Sequence, residues 1–566
     1  MTTTARPSYA FDRFLRYDEL TAWLHGMAAE HPDLIAVESY GRSHEGRELW
    51  LVTVTNTTAG APQQKPAHWV DASIHAVELT GTVAACSLIH YLVEGHRGDD
   101  PIVAPAVDTR TFYIVPRVNP DGAEWALADS PQFRRSSTRP WPYPDAHRWP
   151  GAHIEDVDGD GRVLQMRLPD PDGAWTTHPD DQRLMIPVPP SGATSGAPRY
   201  RLLAEGTVED FDGFTVPTPR PPEGLDLNRN FPAGWSTKVR GSGDHPLSEP
   251  EIDALVRAIV ARPNVCGYNA FHTSGGVLLR PSSTQPDSTL SPKDLWAWKQ
   301  LGAIGTALTS YPVHSVFEDF TWDKADTMSG AADDWAYEHL GVLSWTTEFW
   351  DVVHAATGEK QATDFWYVGP TDEQHFAVLR WVEEHAPDQF VDWYPFDHPQ
   401  LGPVELGGWH HMGIWTNPPT SLLAAEVAVH APFAVAQAMA SPCLELRRLR
   451  AEPLGAGAWR VELGIANTGW LPTDVTARAR AVELVRPIVA ELTGATVVGG
   501  PARQQFGQLE GRAALRFREF HDGTPDRALV TWVVEAAPGT EVTVTARHDR
   551  AGQISGTLVL TGQAEA

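Results

Sequence analysis

The sequence predicts an α/β domain built on a mixed, mostly parallel sheet flanked by helices, followed by a C-terminal β-sandwich. Three observations predict it. Apolar strands and amphipathic helices alternate over residues 18–118 and again over 248–385, the pattern of strands joined by helical crossovers. Between these blocks, residues 139–222 are rich in Pro, Gly and Asp and hold no sustained period, which reads as an insertion or extended loop region. From about residue 442 onward, short alternating segments separated by turns replace the helices, over a length usual for a sandwich.

Each element follows from its pattern. Residues 18–30 place Leu20, Trp23, Leu24 and Met27 on one helical face. Residues 48–56 (ELWLVTVTN) and 67–74 read as strands, and 79–92 as a helix. Residues 110–118 (RTFYIVPRV) form a strand that ends in the turn Asn119-Pro120-Asp121-Gly122. Ser248-Glu249-Pro250-Glu251 has the spacing of a capping box that opens a helix to about Ala261. Residues 265–272 (VCGYNAFH) and 341–349 (GVLSWTTEF) are strands; 293–308, 331–340 and 372–385 are helices. Residues 418–440 read as a helix, and 459–465, 528–535 and 541–546 as sandwich strands. The expected organisation is a first domain over 1–398 with its insertion at about 139–222, a linker and helix over 399–441, and a sandwich domain over 442–566.

The chain carries 44 basic and 72 acidic residues, a net charge of −28, which argues against nucleic acid or an anionic membrane as partner. No run of about 18 apolar residues is evident, and the N-terminus has no apolar core of signal-peptide length, so a cytoplasmic location is expected. Cys86, Cys266 and Cys443 are far apart and read as buried reduced thiols. The oligomeric state stays open.

Chemistry concentrates at strand ends. His75 and Glu78 form an H-x-x-E pair at a strand-to-helix junction, and imidazole nitrogen and carboxylate oxygen are both good zinc ligands. His272 closes the strand VCGYNAFH before Thr273-Ser274-Gly275-Gly276, where a third ligand is expected; the alternative is a hydrogen-bonded structural histidine. Two His and one Glu leave a fourth position for water, as catalytic zinc requires. Glu348 sits in the apolar strand LSWTTEF, where a carboxylate is tolerated beside a cation, making it a candidate general base; the alternative is an ion pair with a structural Arg. Asn228 and Arg229, in LDLNRNF, could anchor a substrate carboxylate, which Arg grips bidentately. Arg134 and Arg135, in FRRSSTR, could stabilise an oxyanion. Within the insertion, Asp156, Asp158 and Asp160 precede Gly161 in a D-x-D-x-D-G run that resembles half of an EF-hand calcium loop. Position twelve of such a loop is Arg167 rather than Glu, so the choice is between a non-standard Ca²⁺ site, closed by Asp170 or Asp172, and a solvated acidic turn.

Taken in order, the H-x-x-E pair, NPDG, the Arg cluster, D-x-N-R-N, the strand-end His and the strand-end Glu resemble the zinc carboxypeptidases of the A/B type, over residues 17–388. The sandwich lies outside the resemblance. It implies Zn²⁺ held by His75, Glu78 and His272, a terminal carboxylate bound by Asn228 and Arg229, Glu348 as the base that activates water, and Arg135, with Arg134 as alternative, as the oxyanion arginine. The activity implied is zinc-dependent hydrolysis of peptide bonds that releases C-terminal residues from a peptide substrate. The family usually carries a Tyr shortly before a Gly-Gly-x-x-Asp-Trp stretch; counting back from Trp335 puts Asp326 there instead. Asp333, two places before that Trp, falls at the base of the pocket for the C-terminal side chain, where an acid goes with Lys or Arg. Two other functions stay open: hydrolysis of cell-wall peptides at diaminopimelate or γ-D-glutamyl bonds, and a non-catalytic binding protein on the same fold.

Overall fold

The structure is a computed structural model and describes residues 9–141, 150–192, 194, 196–217, 225–321, 323–325, 327–360, 368–410, 412–514 and 523–561. Its central sheet has eight strands: β1 (Ile35–Arg42), β2 (Glu48–Val54), β3 (Ala67–Ala72), β4 (Thr111–Val115), β5 (Val265–Thr273), β6 (Val277–Arg280), β7 (Val313–Ser315) and β8 (Leu343–Phe349). They lie in the order β1-β2-β4-β3-β5-β8-β6-β7. The middle four, β4, β3, β5 and β8, run parallel. Antiparallel pairings at β1–β2, β2–β4 and β6–β8 make the sheet mixed.

Every residue of β3 and β5 is buried, because helices cover both faces of the sheet. Neighbours along β3 point opposite ways: Val70 joins the core with Trp23, Leu24 and Leu88, while Trp69 joins Ile252, Leu255 and Trp335. The helix after β3 spans Thr80–Arg97, five residues past its expected end. The helix Pro250–Val260 starts where expected but without a capping box: its N-cap is Glu249, and the Glu251 carboxylate accepts from His44 N at 2.7 Å instead.

Three expectations are corrected. Residues 139–222 are not an extended loop. Gln165–Pro169, Trp175–Thr177, Met185–Pro187 and Arg199–Ala204 join Phe390–His398 and Gly402–Trp409 in a six-stranded antiparallel sheet. Residues 402–409 are therefore a strand of that sheet and not linker. Residues 142–149 and 218–222 of the insertion lie outside the described residues. The expected helix over 418–440 is two helices, Thr420–Ala428 and Ala431–Met439, with Pro432 in the first turn of the second. By length and composition alone the stretch Thr420–Met439 would suffice to cross a membrane; half of it is buried in the protein, against the Thr80–Arg97 helix among others.

The C-terminal unit is two four-stranded antiparallel sheets packed around Trp459, Leu463, Trp532 and Val544. It is docked on the first domain through backbone groups. Asp294 accepts from Ala477 N at 2.7 Å and Arg478 N at 3.1 Å, and Tyr337 Oη donates to it at 2.9 Å. Arg550 donates to the carbonyls of Gly341, at 3.1 Å, and Leu340. Gly341 is required there: its φ is +63°, and a Cβ would meet Ala479 Cβ at 2.5 Å. All three cysteines are free thiols, with Cys86 and Cys266 buried.

Candidate active site

The C-terminal ends of β3, β5 and β8 meet at one point of the sheet, where crossovers diverge and leave a crevice. Just past β3, Ser73 takes a left-handed conformation (φ +53°) that turns the chain out of the strand. Its hydroxyl donates to Glu78 O at 3.1 Å, closing the loop that carries His75 and Glu78. The NPDG turn forms the floor beneath. Asn119 caps the helix Pro120–Ala126 by accepting from Gly122 N at 3.0 Å and donates to Ser136 O at 2.6 Å. A Cβ on Gly122 would meet Ala76 Cβ at 2.6 Å, so the glycine lets this floor approach the ligand loop. Ala76 N donates to Arg135 O at 2.7 Å and ties the arginine segment to the same loop.

His75, Glu78 and His272 converge. His75 Nδ1 lies 2.8 Å from Glu78 Oε1, His272 Nδ1 lies 3.0 Å from Glu78 Oε2, and the two Nδ1 atoms are 3.2 Å apart. All three side chains are buried, at 3 %, 3 % and 2 % exposure. Burial would push the Glu78 carboxyl up, but the two imidazoles hold it well below the usual range. A buried, ionised carboxylate among two imidazoles is a donor set that suits a divalent cation, and the ligand atoms are close enough to share one.

Glu348 stands beside His272 in register on the neighbouring strand β8. Burial pushes its carboxyl up to about 8, against the opposing influence of His272. A cavity of about 400 Å³ is lined by the three ligand candidates together with Glu348, Arg135, Asn228, Arg229 and Asp333. Arg135 Nη1 reaches Glu78 Oε1 at 3.3 Å. Arg134 does not line the cavity; its guanidinium lies 4.8 Å over the Trp125 ring. Of the two arginines, the structure brings only Arg135 to the cleft. Asn228 and Arg229 sit on the turn Leu227–Arg229, where Asn228 Oδ1 accepts from Ala332 N at 2.9 Å. Asp333 is 4 % exposed, and burial raises its carboxyl. Asp326 lies outside the described residues.

One participant was not singled out from sequence. Asp226 accepts from Asn228 N at 2.9 Å, lies 3.1 Å from His75 Nε2 and reaches Arg135 Nε at 3.5 Å. It opens the D-x-N-R-N run whose Asn and Arg drew attention. Its signal was an acid two residues before them.

Asp156, Asp158 and Asp160 do come together. Asp156 accepts from Gly159 N at 2.7 Å and Gly161 N at 2.9 Å, Asp158 accepts from Asp160 N at 3.0 Å, and Asp160 pairs with Arg162 at 2.6 Å. Arg167 turns to Glu405 at 2.8 Å. The loop closes on its own hydrogen bonds, on Arg162, on Tyr394, whose Oη donates to Asp158, and on Glu205, which accepts from Val157 N. That fits the acidic-turn alternative, and the calcium expectation gains no support.

The sequence profile of zinc carboxypeptidases matches residues 20–153 and 171–367, more than half of the chain. A profile for a domain of unknown function matches residues 443–559. A carboxypeptidase B of Astacus astacus is 27 % identical over 165 residues, 29 % of this chain and 45 % of that protein. A zinc carboxypeptidase of Saccharothrix mutabilis subsp. capreolus is 29 % identical over 112 residues, 20 % of this chain and 25 % of that protein. The chain thus spans less than half the length of these relatives. Among solved structures, carboxypeptidase A from Helicoverpa armigera is similar over 68 % of this chain and 75 % of its own, with 19 % identity and a TM-score of 0.38. On the extent of the profile match, the chain belongs to the zinc carboxypeptidase family.

Proposed function

We propose that this protein is a zinc-dependent carboxypeptidase that releases residues from the C-terminus of peptides. One observation carries the reading: the candidate ligands His75, Glu78 and His272, the carboxylate Glu348 and the anchors Arg135, Asn228 and Arg229 all line one cavity. Zinc held by His75, Glu78 and His272 would supply Lewis acidity and acidify water. Glu348, beside His272, accepts a proton from the attacking water and delivers it to the leaving amine. Arg135 offers a guanidinium to the oxyanion that develops on the scissile carbonyl. Arg229 and Asn228 hold the terminal carboxylate and fix which bond reaches Glu348.

The test is metal content measured together with amino-acid release from a mixed peptide panel that includes diaminopimelate-containing peptides. Stoichiometric zinc and release of free C-terminal residues are expected. Purified protein that takes up no zinc and releases nothing would make the fold a binding scaffold, and release confined to diaminopimelate or γ-D-glutamyl bonds would make it a cell-wall peptide hydrolase.

A further inference from the structure

A second cavity, of about 360 Å³, adjoins the first, and Phe133 and Thr416 line both. Its walls are aromatic: Trp175, His375, Phe390, Trp393, Trp409 and Trp415. Trp175, Phe390, Trp393 and Trp409 all come from strands of the one six-stranded sheet that the insertion shares with residues 390–409, and all wall residues from His375 onward lie beyond the stretch matched by the family profile.

The rings hold one another. Trp409 meets Phe390 edge-on at 4.8 Å and Trp415 at 5.5 Å, and His375 stacks on Trp409 at 6.1 Å. Burial lowers His375 to about 4, so it stays an uncharged ring at neutral pH. Several polar groups of the lining are already engaged. Gln165 Oε1 accepts from Trp409 N at 3.2 Å, and Trp393 Nε1 donates to Arg183 O at 2.7 Å. The Arg183 guanidinium is held by Asp181 and Glu383, each at 2.6 Å. The walls are mostly ring faces, which a hydrocarbon side chain covers without giving up a hydrogen bond.

We propose that this cavity is a subsite for a large aromatic or aliphatic side chain of the peptide, located upstream of the scissile bond. The assignment rests on the carboxypeptidase reading in one respect. Asn228, Arg229 and Asp333 line the first cavity and not the second, so the terminal residue belongs in the first and the second is left to residues that precede it.

Two measurements test it. In the first, kcat/KM is compared for peptides with a fixed C-terminal residue and Trp, Leu, Ala or Ser at each preceding position in turn. Wild type is expected to favour Trp and Leu over Ala by ~10–100-fold at one position. Trp393→Ala or Trp415→Ala should collapse that gap while leaving the Ala peptide's turnover in place, and Trp393→Phe, which keeps a ring, should preserve most of it. Equal rates across the series overturn the proposal. In the second, calorimetry reads binding of N-acetyl-tryptophanamide, which has no carboxylate and needs no turnover. Binding lost in Trp393→Ala supports the subsite even if no peptide is cleaved, which would sink the peptidase reading alone. No binding by wild type, or tighter binding of an N-acetylglucosamine oligomer, overturns the assignment.

Discussion

The Asp226 carboxylate spans two side chains of the site: one oxygen lies 3.1 Å from His75 Nε2, and the other 3.5 Å from Arg135 Nε. Its carboxyl is held well below the ordinary range, because His75, Arg229 and Arg135 outweigh the effect of burial. With Nε2 engaged, Nδ1 of His75 is left facing Glu78 and His272. Partners that orient a metal-binding imidazole in this way typically account for about 10–100-fold in metal affinity. Asp226→Ala should lose about that much zinc affinity in a chelator competition, with the fold intact by circular dichroism. Unchanged affinity would show that His75 needs no such support.

His272→Ala and Glu348→Gln should separate metal holding from proton transfer. The two residues are register partners on adjacent strands, so the local backbone environment is shared. His272→Ala is expected to lose zinc and activity together. Glu348→Gln should keep zinc yet lose several orders of magnitude in kcat, more than the ~10²–10⁴ of proton transfer alone, because the carboxylate also positions the water. Full zinc occupancy in the first variant, or near-normal turnover in the second, contradicts the assigned roles.

Asp333 should select for a cationic C-terminal side chain. It is buried in the cavity wall, burial raises its carboxyl, and a substrate Lys or Arg would supply the charge it lacks. A hydrogen bond to a charged group is worth about 1.5–3 kcal/mol, so peptides ending in Lys or Arg should exceed those ending in Phe or Leu by ~10–100-fold in kcat/KM. Asp333→Ile should reverse the order. A wild type that prefers Phe, or a preference unmoved by the substitution, removes Asp333 as selector.

Glu205 gives the insertion a pH dependence. Its carboxylate accepts from Val157 N at 2.9 Å and Leu164 N at 2.6 Å, and burial pushes it from 4.5 to about 7, aided by Asp158 and Asp156. A carboxyl raised in this way favours the folded state fully below about pH 4.5, and that contribution is lost as pH rises toward 7. Calorimetric melting should therefore show a fall between pH 5 and 8 that is shallower in Glu205→Gln, whatever that variant's absolute stability. Parallel profiles for the two proteins would exclude this contribution.

The parts legible in sequence were those set by local pattern. Val265–Thr273 and Leu343–Phe349 are buried strands that announce themselves as apolar runs, and each carries a site residue, His272 or Glu348, at its next-to-last position. The insertion sheet was not legible. Gln165–Pro169 and Trp175–Thr177 are too short to show a period, and the partner of the first, Gly402–Trp409, lies more than two hundred residues downstream. Without that pairing Trp409 and Trp415 read as scattered aromatics, and the second cavity has no sequence signature. Asp226 was hidden differently: an acid beside Asn and Arg in a loop looks solvated until the fold brings His75 to it.

Gly341 and Leu340 lie immediately ahead of the strand that presents Glu348, and their carbonyls are clasped by Arg550, from the far end of the chain. The C-terminal sandwich therefore works as a splint for that strand and not as a trailing appendage. A version of the chain trimmed after residue 441 would keep every group that lines the cleft yet expose the Asp294 carboxylate and free the entry to β8. Hydrogen exchange along Leu343–Phe349 would register the loosening before any change reached the ligand loop on β3. Anyone borrowing the first domain as a compact unit would be advised to carry the splint with it.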